Sequence, residues 1–334
     1  MTGPVGPAAL GFGLGAIASL AASALLVTRI ERLGEWLAFS EAMLGLVAAL
    51  AADSPEITSA VTALARGQHD VGIGVVFGSN IFNLAALLGI GALIAGRIAL
   101  HRDVVVLEGL LAIWVAGVSI ATVSGALTPI GSLVLVLAVL VPYVYVSAMR
   151  PEKVRLLPLP AVVGEWLSSA LVDESAEVAA AVHTKRGTPR DATVAAVALV
   201  VVVAASIVME RTATTLGEHA GLADIVIGAI VLATVTSLPN VVAAVYLARR
   251  GRGAATLSEA LNSNTLNVAF GLTIPVVFTG LGGLSGPTVL AAAWYGGLTL
   301  FTLVICYVGR GLRRSTGTLV IAAYLAFLVV LTWG

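Results

Sequence analysis

Charged side chains are scarce in this chain. Asp, Glu, Lys and Arg make up 11% of its 334 residues, less than half of the roughly 25% that a water-soluble domain carries, so a soluble fold is excluded. Eighteen basic and eighteen acidic residues cancel, which leaves neither the positive field that nucleic-acid binding needs nor an acidic, solvating tail. There is one cysteine, Cys306, inside an apolar run; an internal disulfide, a zinc cluster and an iron–sulfur centre are thereby excluded. The four histidines, His69, His101, His183 and His219, are scattered without metal-ligand spacing. Lysine is nearly absent, two residues against sixteen arginines, and with abundant Ala, Val, Leu and Gly this is the usage of a GC-rich bacterial genome.

What the chain has instead is apolar length: 59% of it is hydrophobic, with a mean hydropathy of +1.03. A hydrocarbon core about 30 Å thick needs roughly 20 apolar residues of helix. Ten such runs occur, at 5–28, 38–65, 71–95, 103–124, 126–148, 191–209, 222–248, 256–281, 286–309 and 316–333. The first has no basic region before it and more membrane after it, so it reads as a span and not as a cleaved signal peptide. The fold class expected is an all-α integral membrane protein of ten transmembrane helices. Basic loops stay on the cytoplasmic side. With both termini outside, sixteen of the eighteen basic residues fall in cytoplasmic loops, and Arg66 and Arg211 alone fall outside. A multi-pass protein of a bacterial cytoplasmic membrane is expected. The loop 149–190 divides the spans five and five and reads as a solvated cytoplasmic connector; Glu165, Trp166, Asp173, Glu174 and Glu177 could lie there on an amphipathic surface helix.

The two halves align without a gap at a constant offset of 184 residues. Ser54-Pro55-Glu56 falls on Leu238-Pro239-Asn240, Arg66-Gly67 on Arg250-Gly251, and Ser79-Asn80-Ile81-Phe82-Asn83 on Ser263-Asn264-Thr265-Leu266-Asn267. Chance similarity between apolar stretches would match Ala, Val and Leu, but not Pro, Arg-Gly and Ser-Asn together, so this is a duplication. Five spans per copy send the second copy into the membrane from the opposite side, making the repeats inverted, an architecture of secondary transporters. The first repeat is expected at 1–148 with its motif at 45–92, and the second at 191–334 with its motif at 229–276. Pro55 and Pro239 stand inside spans, where each frees a carbonyl of the preceding turn. Freed carbonyls are candidate ligands for hard cations.

A central acidic residue costs a span about 2.5 to 3.5 kcal/mol on insertion scales, so each needs a partner or a function. Asp53 and Glu56, three apart and so on one helix face, have no basic residue in their span; they are expected to bind cations or protons. Ser79 and Asn83 in the third span, Ser263 and Asn267 in the eighth, and Thr236, Ser237 and Asn240 in the seventh line helix faces with oxygen. Such hard ligands suit calcium, sodium or magnesium. Glu259, four residues before Ser263, is a candidate for relaying ions or protons. Glu41 and Glu108 lie nearer span ends and are expected to reach the headgroups.

Two proline-centred motifs paired with Ser-Asn motifs in inverted copies resemble the alpha repeats of the calcium/cation antiporter superfamily, which contains the sodium/calcium and proton/calcium exchangers. The family's G-T-S-x-P-E motif corresponds to Ala51-Ala52-Asp53-Ser54-Pro55-Glu56, and its G-S-N-I-x-N is intact as Gly78-Ser79-Asn80-Ile81-Phe82-Asn83. The resemblance implies ion-binding roles for Glu56, Ser79 and Asn83, with no enzymatic activity and no cofactor. The second repeat keeps Thr236, Ser237 and Pro239, and Ser263 and Asn264, but has Asn240 and Asn267 where such exchangers carry acids. Two carboxylates in one half therefore stand where the family has one in each. Their charge of minus two matches one calcium ion or two protons, and a site for three sodium ions looks under-charged. The expected function is a secondary antiporter of calcium against protons or sodium, its partners being inorganic cations and the bilayer. A monovalent cation/proton antiporter and a non-transporting ion-binding sensor are the alternatives.

Overall fold

A computed structural model of the chain describes residues 5–37, 41–149, 151–154, 157–158, 160–179 and 187–333. They form helices joined by tight turns, together with one two-stranded ribbon. In order these are α1 (Val5–Trp36), α2 (Glu41–Ala52), α3 (Ser54–Ala65), α4 (His69–Ala95), β1 (Arg97–Ala99), α5 (Arg102–Val123), α6 (Pro129–Ser147), α7 (Ala161–Ala179) and α8 (Pro189–His219). Then follow α9 (Asp224–Thr236), α10 (Leu238–Arg249), α11 (Gly253–Leu266), α12 (Ile274–Thr279), α13 (Gly286–Gly309), β2 (Gly311–Arg313) and α14 (Arg314–Trp333). Antiparallel β1 and β2 pair Ile98 with Leu312 and so clip the start of α5 to the end of α13.

Seven of these helices are long and apolar enough to cross a membrane, and α9 with α10, bent by 49° at their junction, make an eighth if counted as one span. The two other segments expected as spans, 38–65 and 256–281, are helical over 41–65 and 256–279 but interrupted. The first breaks at Asp53, because Pro55 supplies no N–H to the turn before it. The carbonyl that this frees, that of Ala51, is not left for a cation as expected: Ser54 Oγ donates to it at 2.7 Å and Ser23 Oγ at 3.4 Å. The second passes from α11 through a π-helical stretch, Asn267–Thr273, into α12. Similar π-helical stretches occupy Leu84–Ile90 within α4 and Ile227–Leu232 within α9. Such wide turns lie next to functional positions in many helices, and here two of them follow directly on Asn83 and begin at Asn267.

Element limits repeat at the sequence offset: α3 spans 54–65 and α10 spans 238–249, and α5 starts at 102 where α13 starts at 286. The centre is built from α3, α4, α9 and α11, packed closely. A Cβ on Gly78 would fall 2.3 Å from the Ala229 backbone, and one on Gly228 would fall 2.2 Å from the Val71 carbonyl, so the crossing of α4 over α9 requires glycine at both contact points. Along this centre lie α1 and α8, paired over most of their length.

These two helices run 32 and 31 residues, past the expected limits 5–28 and 191–209. At 1.5 Å per residue that is about 45 Å, more than the hydrocarbon core. Polar contacts account for the extra turns. Arg29 pairs with Asp191 at 2.7 Å, the Asp191 carboxylate also caps α8 through Thr188, and Arg66 at the end of α3 pairs with buried Glu210 at 3.0 Å. The connector is also more structured than expected. Its helix α7 packs on α2, α5 and α11, burying Ala170 and Leu171 with Glu165 exposed and Trp166 half-buried; the side chains of Asp173, Glu174 and Glu177 lie outside the described residues.

Candidate cation site

At the break between α2 and α3, Asp53 and Glu56 turn inward and are buried. Across from them, α10 brings Asn240, α11 brings Ser263 and the π-helical stretch that follows brings Asn267, also buried. Asn240 Nδ2 donates to Asp53 Oδ1 at 2.7 Å and lies 3.4 Å from Glu56 Oε1. Ser263 Oγ donates to the same Asp53 oxygen at 2.6 Å, and Asn267 Nδ2 donates to Glu56 Oε2. Both carboxylates of the first half are thus held by amides and a hydroxyl of the second. Among the described residues, no basic side chain pairs with either.

The Ser-Asn motifs close the cluster from the side. Asn83 Nδ2 donates to Ser263 Oγ at 3.0 Å and to Asn264 Oδ1 at 3.2 Å. Asn80 and Asn264 exchange hydrogen bonds with each other's backbone carbonyls, and Asn267 Nδ2 also reaches Asn80 Oδ1 at 3.3 Å. The motif duplication was the signal for these two: each occupies the same place in its copy.

Of the nine expected site residues, Asp53, Glu56, Asn83, Asn240, Ser263 and Asn267 share this one network. Ser79 and Ser237 are buried, and both hydroxyls face the Glu56 carboxylate. Thr236 turns its hydroxyl back to the Leu232 carbonyl at 2.9 Å and takes no part. Neither does half-buried Glu259, the expected relay. Glu41's side chain lies outside the described residues. Glu108 does not reach the headgroups as expected: it is fully buried, and Tyr143 Oη lies 2.9 Å from its Oε1. A hydroxyl on α6 meets it where the sequence shows only an apolar run.

Asn83, Asn240 and Asn267 direct their N–H groups at carboxylates, a hydroxyl and neighbouring amides, and their own oxygens are left over. Asp53 Oδ2, Asn83 Oδ1, Asn240 Oδ1 and Asn267 Oδ1 are buried with no hydrogen-bond partner. A buried acceptor without a partner costs about 1 to 3 kcal/mol, and one native cluster holding four calls for an explanation. With the Glu56 carboxylate and the hydroxyls of Ser79 and Ser237 they form an all-oxygen set that carries two negative charges when both acids are ionised, the donor type of a hard cation. No group of three or more His, Cys, Asp or Glu able to hold a metal is present among the described residues.

Residues 7–149 and 192–333 match the sodium/calcium exchanger protein family. The chain belongs to that family. Within reach of this sodium/calcium exchanger family member are the putative antiporter CaxA of Alkalimonas amylolytica, 26% identical over 267 residues, or 76% of this chain and 73% of CaxA, and the inner membrane protein YrbG of Escherichia coli, 22% identical over 234 residues, or 70% and 68%. A crystal structure of the H+/Ca2+ exchanger CAX has the same fold, with a TM-score of 0.72 at 15% identity over 96% of this chain and 82% of that one. The sodium/calcium exchanger family is one of transmembrane antiporters, not enzymes, and the chain is a multi-pass membrane protein with bacterial relatives.

Proposed function

We propose that the chain is a secondary active antiporter that carries calcium in exchange for protons or sodium. The observation that supports this most is the meeting of Asp53 and Glu56 with Asn240, Ser263 and Asn267 in one buried cluster that has no basic partner among the described residues. Two ionised carboxylates cannot stay buried without compensating charge; a calcium ion supplies it, and so do two protons. Competition of the two cargoes for the same oxygens couples their fluxes. Glu56, Asp53, Ser79, Asn83, Ser237, Asn240, Ser263 and Asn267 hold the ion, and Glu259 lies on the approach.

In this reading ten spans form two inverted copies, 1–148 and 191–334, around the site, with 149–190 on the cytoplasmic side of a bacterial inner membrane and both termini outside. Alternating access moves α1 and α8 against the fixed centre. Gly11 and Gly15 face α8 closely, and a Cβ on Gly15 would fall 3.0 Å from the Ala205 carbonyl, so the pair meets over a smooth surface.

The test is flux in reconstituted vesicles. Calcium uptake driven by an opposing proton or sodium gradient is expected for the wild type and lost in Glu56→Gln; undiminished exchange in that variant would remove the site assignment. A second reading, a sodium or other monovalent cation/proton antiporter, is favoured by the two amides Asn240 and Asn267 at positions where such exchangers carry acids. Calorimetry with calcium against sodium on the wild type separates the two.

A further inference from the structure

The ribbon of β1 and β2 ties a strand of the first half of the chain to a strand of the second, and its outer face is positively charged. The register sets Ile98 against Leu312 and Arg97 against Arg313. Side chains alternate across a strand, and facing partners in an antiparallel pair share one side with their Cβ atoms about 4.5 to 5.5 Å apart. Ile98 and Leu312 are buried and anchor the inner side. Arg97 and Arg313 are exposed and stand next to each other on the outer one.

Three more arginines flank the pair. Arg314 follows Arg313 and lays its guanidinium against Gly96, where an added Cβ would fall 3.7 Å from both Nε and Nη2. Arg310 precedes β2, and its carbonyl accepts from Leu100 N at 3.2 Å, which lengthens the ribbon by one step. Arg102 opens α5, stacks over the Tyr307 ring at 4.9 Å and donates from Nε to the Tyr307 carbonyl at 3.4 Å. All five are exposed. Among the described residues none of them pairs with a carboxylate.

Like charges directly opposite each other destabilise a ribbon. The preference for basic residues on one side of a membrane does not account for the arrangement, since it asks only for positive charge in a loop and is indifferent to register. Arg310 is unusual in a second way. Among the described residues it is the only non-glycine with a positive φ, 50°, in the left-handed conformation after a helix end that glycine commonly takes. Glycine there would remove both strain and charge. At the offset of 184 residues, Arg97, Arg102, Arg310, Arg313 and Arg314 correspond to Leu281, Gly286, Ala126, Pro129 and Ile130. The patch therefore belongs to one end of the molecule and not to the shared plan of the two copies.

The surroundings of the patch select its partner. Leu93 and Ile94 on α4, Val304 and Val308 on α13 and Leu319 on α14 are exposed, each no more than six residues along the chain from one of these arginines. On membrane helices such side chains meet lipid tails. Guanidinium groups take phosphate through their planar fork. A ligand that offers a phosphate and hydrocarbon together is a phospholipid, whereas a free anion would leave the apolar rim unused.

We infer that the ribbon is a docking site for an anionic phospholipid, with the headgroup phosphate between Arg97 and Arg313 and the acyl chains against the neighbouring apolar side chains. The phosphate replaces a repulsion across the ribbon with two attractions, and so fastens one half of the chain to the other. The site stands whichever cation the proposed antiporter carries.

The test is thermal unfolding of the full chain in neutral detergent, titrated with phosphatidylglycerol, with phosphatidylcholine of the same acyl chains, or with inorganic phosphate. Phosphatidylglycerol is expected to raise the unfolding temperature of the wild type by mass action, and the other two to leave it where it is. Without lipid, Arg97→Gln/Arg313→Gln should unfold no lower than the wild type, because a repulsion has been removed. It should need about thirtyfold more phosphatidylglycerol for the same rise, the worth of two arginines at an anionic surface. Arg190→Gln/Arg249→Gln, which removes two other exposed arginines, should respond as the wild type does. An undiminished response of Arg97→Gln/Arg313→Gln would overturn the inference, and so would an equal loss in both double variants, which means a diffuse field and no site. An equal rise with phosphatidylcholine would reduce the contact to its acyl chains, and one with inorganic phosphate would make it a free-anion site; either outcome rejects the anionic lipid. A lipid-free unfolding temperature below that of the wild type in Arg97→Gln/Arg313→Gln would show that the pair serves the fold itself, and rejects it too.

Discussion

Asn80 and Asn264 hold each other by the backbone: the Nδ2 of each donates to the main-chain carbonyl of the other, both at 3.1 Å. The exchange extends one step outward, since Asn83 Nδ2 reaches Asn264 Oδ1 at 3.2 Å and Asn267 Nδ2 reaches Asn80 Oδ1 at 3.3 Å. Four amides from equivalent places in the two copies thus clasp α4 to α11. Symmetry ends where the carboxylates begin. Asn83 turns to a serine, Ser263, whereas Asn267 turns to Glu56.

The clasp is expected to act as one unit. Asn80→Ala or Asn264→Ala leaves a buried carbonyl without its donor, at about 1 to 3 kcal/mol each, and the two substitutions should cost nearly the same. Thermal unfolding of the singles and the double in detergent gives the cycle. The double should cost less than the sum by at least about 0.5 kcal/mol; strict additivity would mean that the two amides do not work together.

Cation binding to the folded protein should raise its stability by mass action, about 2.7 kcal/mol at a free concentration a hundredfold above Kd. A calcium-dependent rise in the unfolding temperature is therefore expected for the wild type and absent from Glu56→Gln. If the variant keeps the rise, calcium binds elsewhere.

Moving a charge across the site tests whether its sum or its position matters. Asn240→Asp sets a third carboxylate against Asp53 Oδ1, where the amide now donates at 2.7 Å, and should weaken the cation-free protein and bind calcium more tightly. Asp53→Ser alone should lose exchange. The two together, with one acid in each half and the total charge unchanged, should recover it. Failure of the pair with normal folding would show that Asp53 acts through geometry and not through charge.

Arg66 and Glu210 tie the end of α3 to α8. Glu210 is fully buried while the Arg66 side chain is 37% exposed, so solvent screening weakens the pair from one side. Arg66→Ala should cost about 1 to 3 kcal/mol by leaving a buried carboxylate with only the 3.4 Å contact from Thr214, and Glu210→Gln clearly less. The same unfolding measurement decides, and a silent Arg66→Ala would remove the tie.

On α1, Gly15→Ala would place a methyl against the Ala205 carbonyl, whereas no atom lies within 4 Å of a Cβ on Gly13. Overpacking of this kind costs about 1 to 3 kcal/mol. Gly15→Ala is expected to slow exchange or loosen the α1–α8 pair, and Gly13→Ala to do neither. Equal behaviour of the two would disconnect that contact from transport.

Much of the site could be read from the chain because it was written twice. Pro55 with Pro239, Ser79 with Ser263 and Asn83 with Asn267 announce themselves by their constant spacing, and the lack of a basic residue near Asp53 and Glu56 announces an unpaired charge. Which way Asp53 points could not be read, since it depends on the break that Pro55 makes and on how Ser54 and Ser23 occupy the Ala51 carbonyl. Arg66 and Glu210 lie 144 residues apart, and Tyr143 and Asn262 lie 119 apart; neither pair repeats, so only folding brings them together. Hydropathy located the apolar runs but not their true lengths, because polar contacts past the ends of those runs extend α1 and α8.

The break at Asp53 carries one more implication. Both acidic groups ride on the same short piece of chain, while the opposite copy offers amides and hydroxyls alone. Any motion that parts the copies leaves the whole negative charge on one bank and none on the other, so a scaffold made of matching halves still has a front and a back.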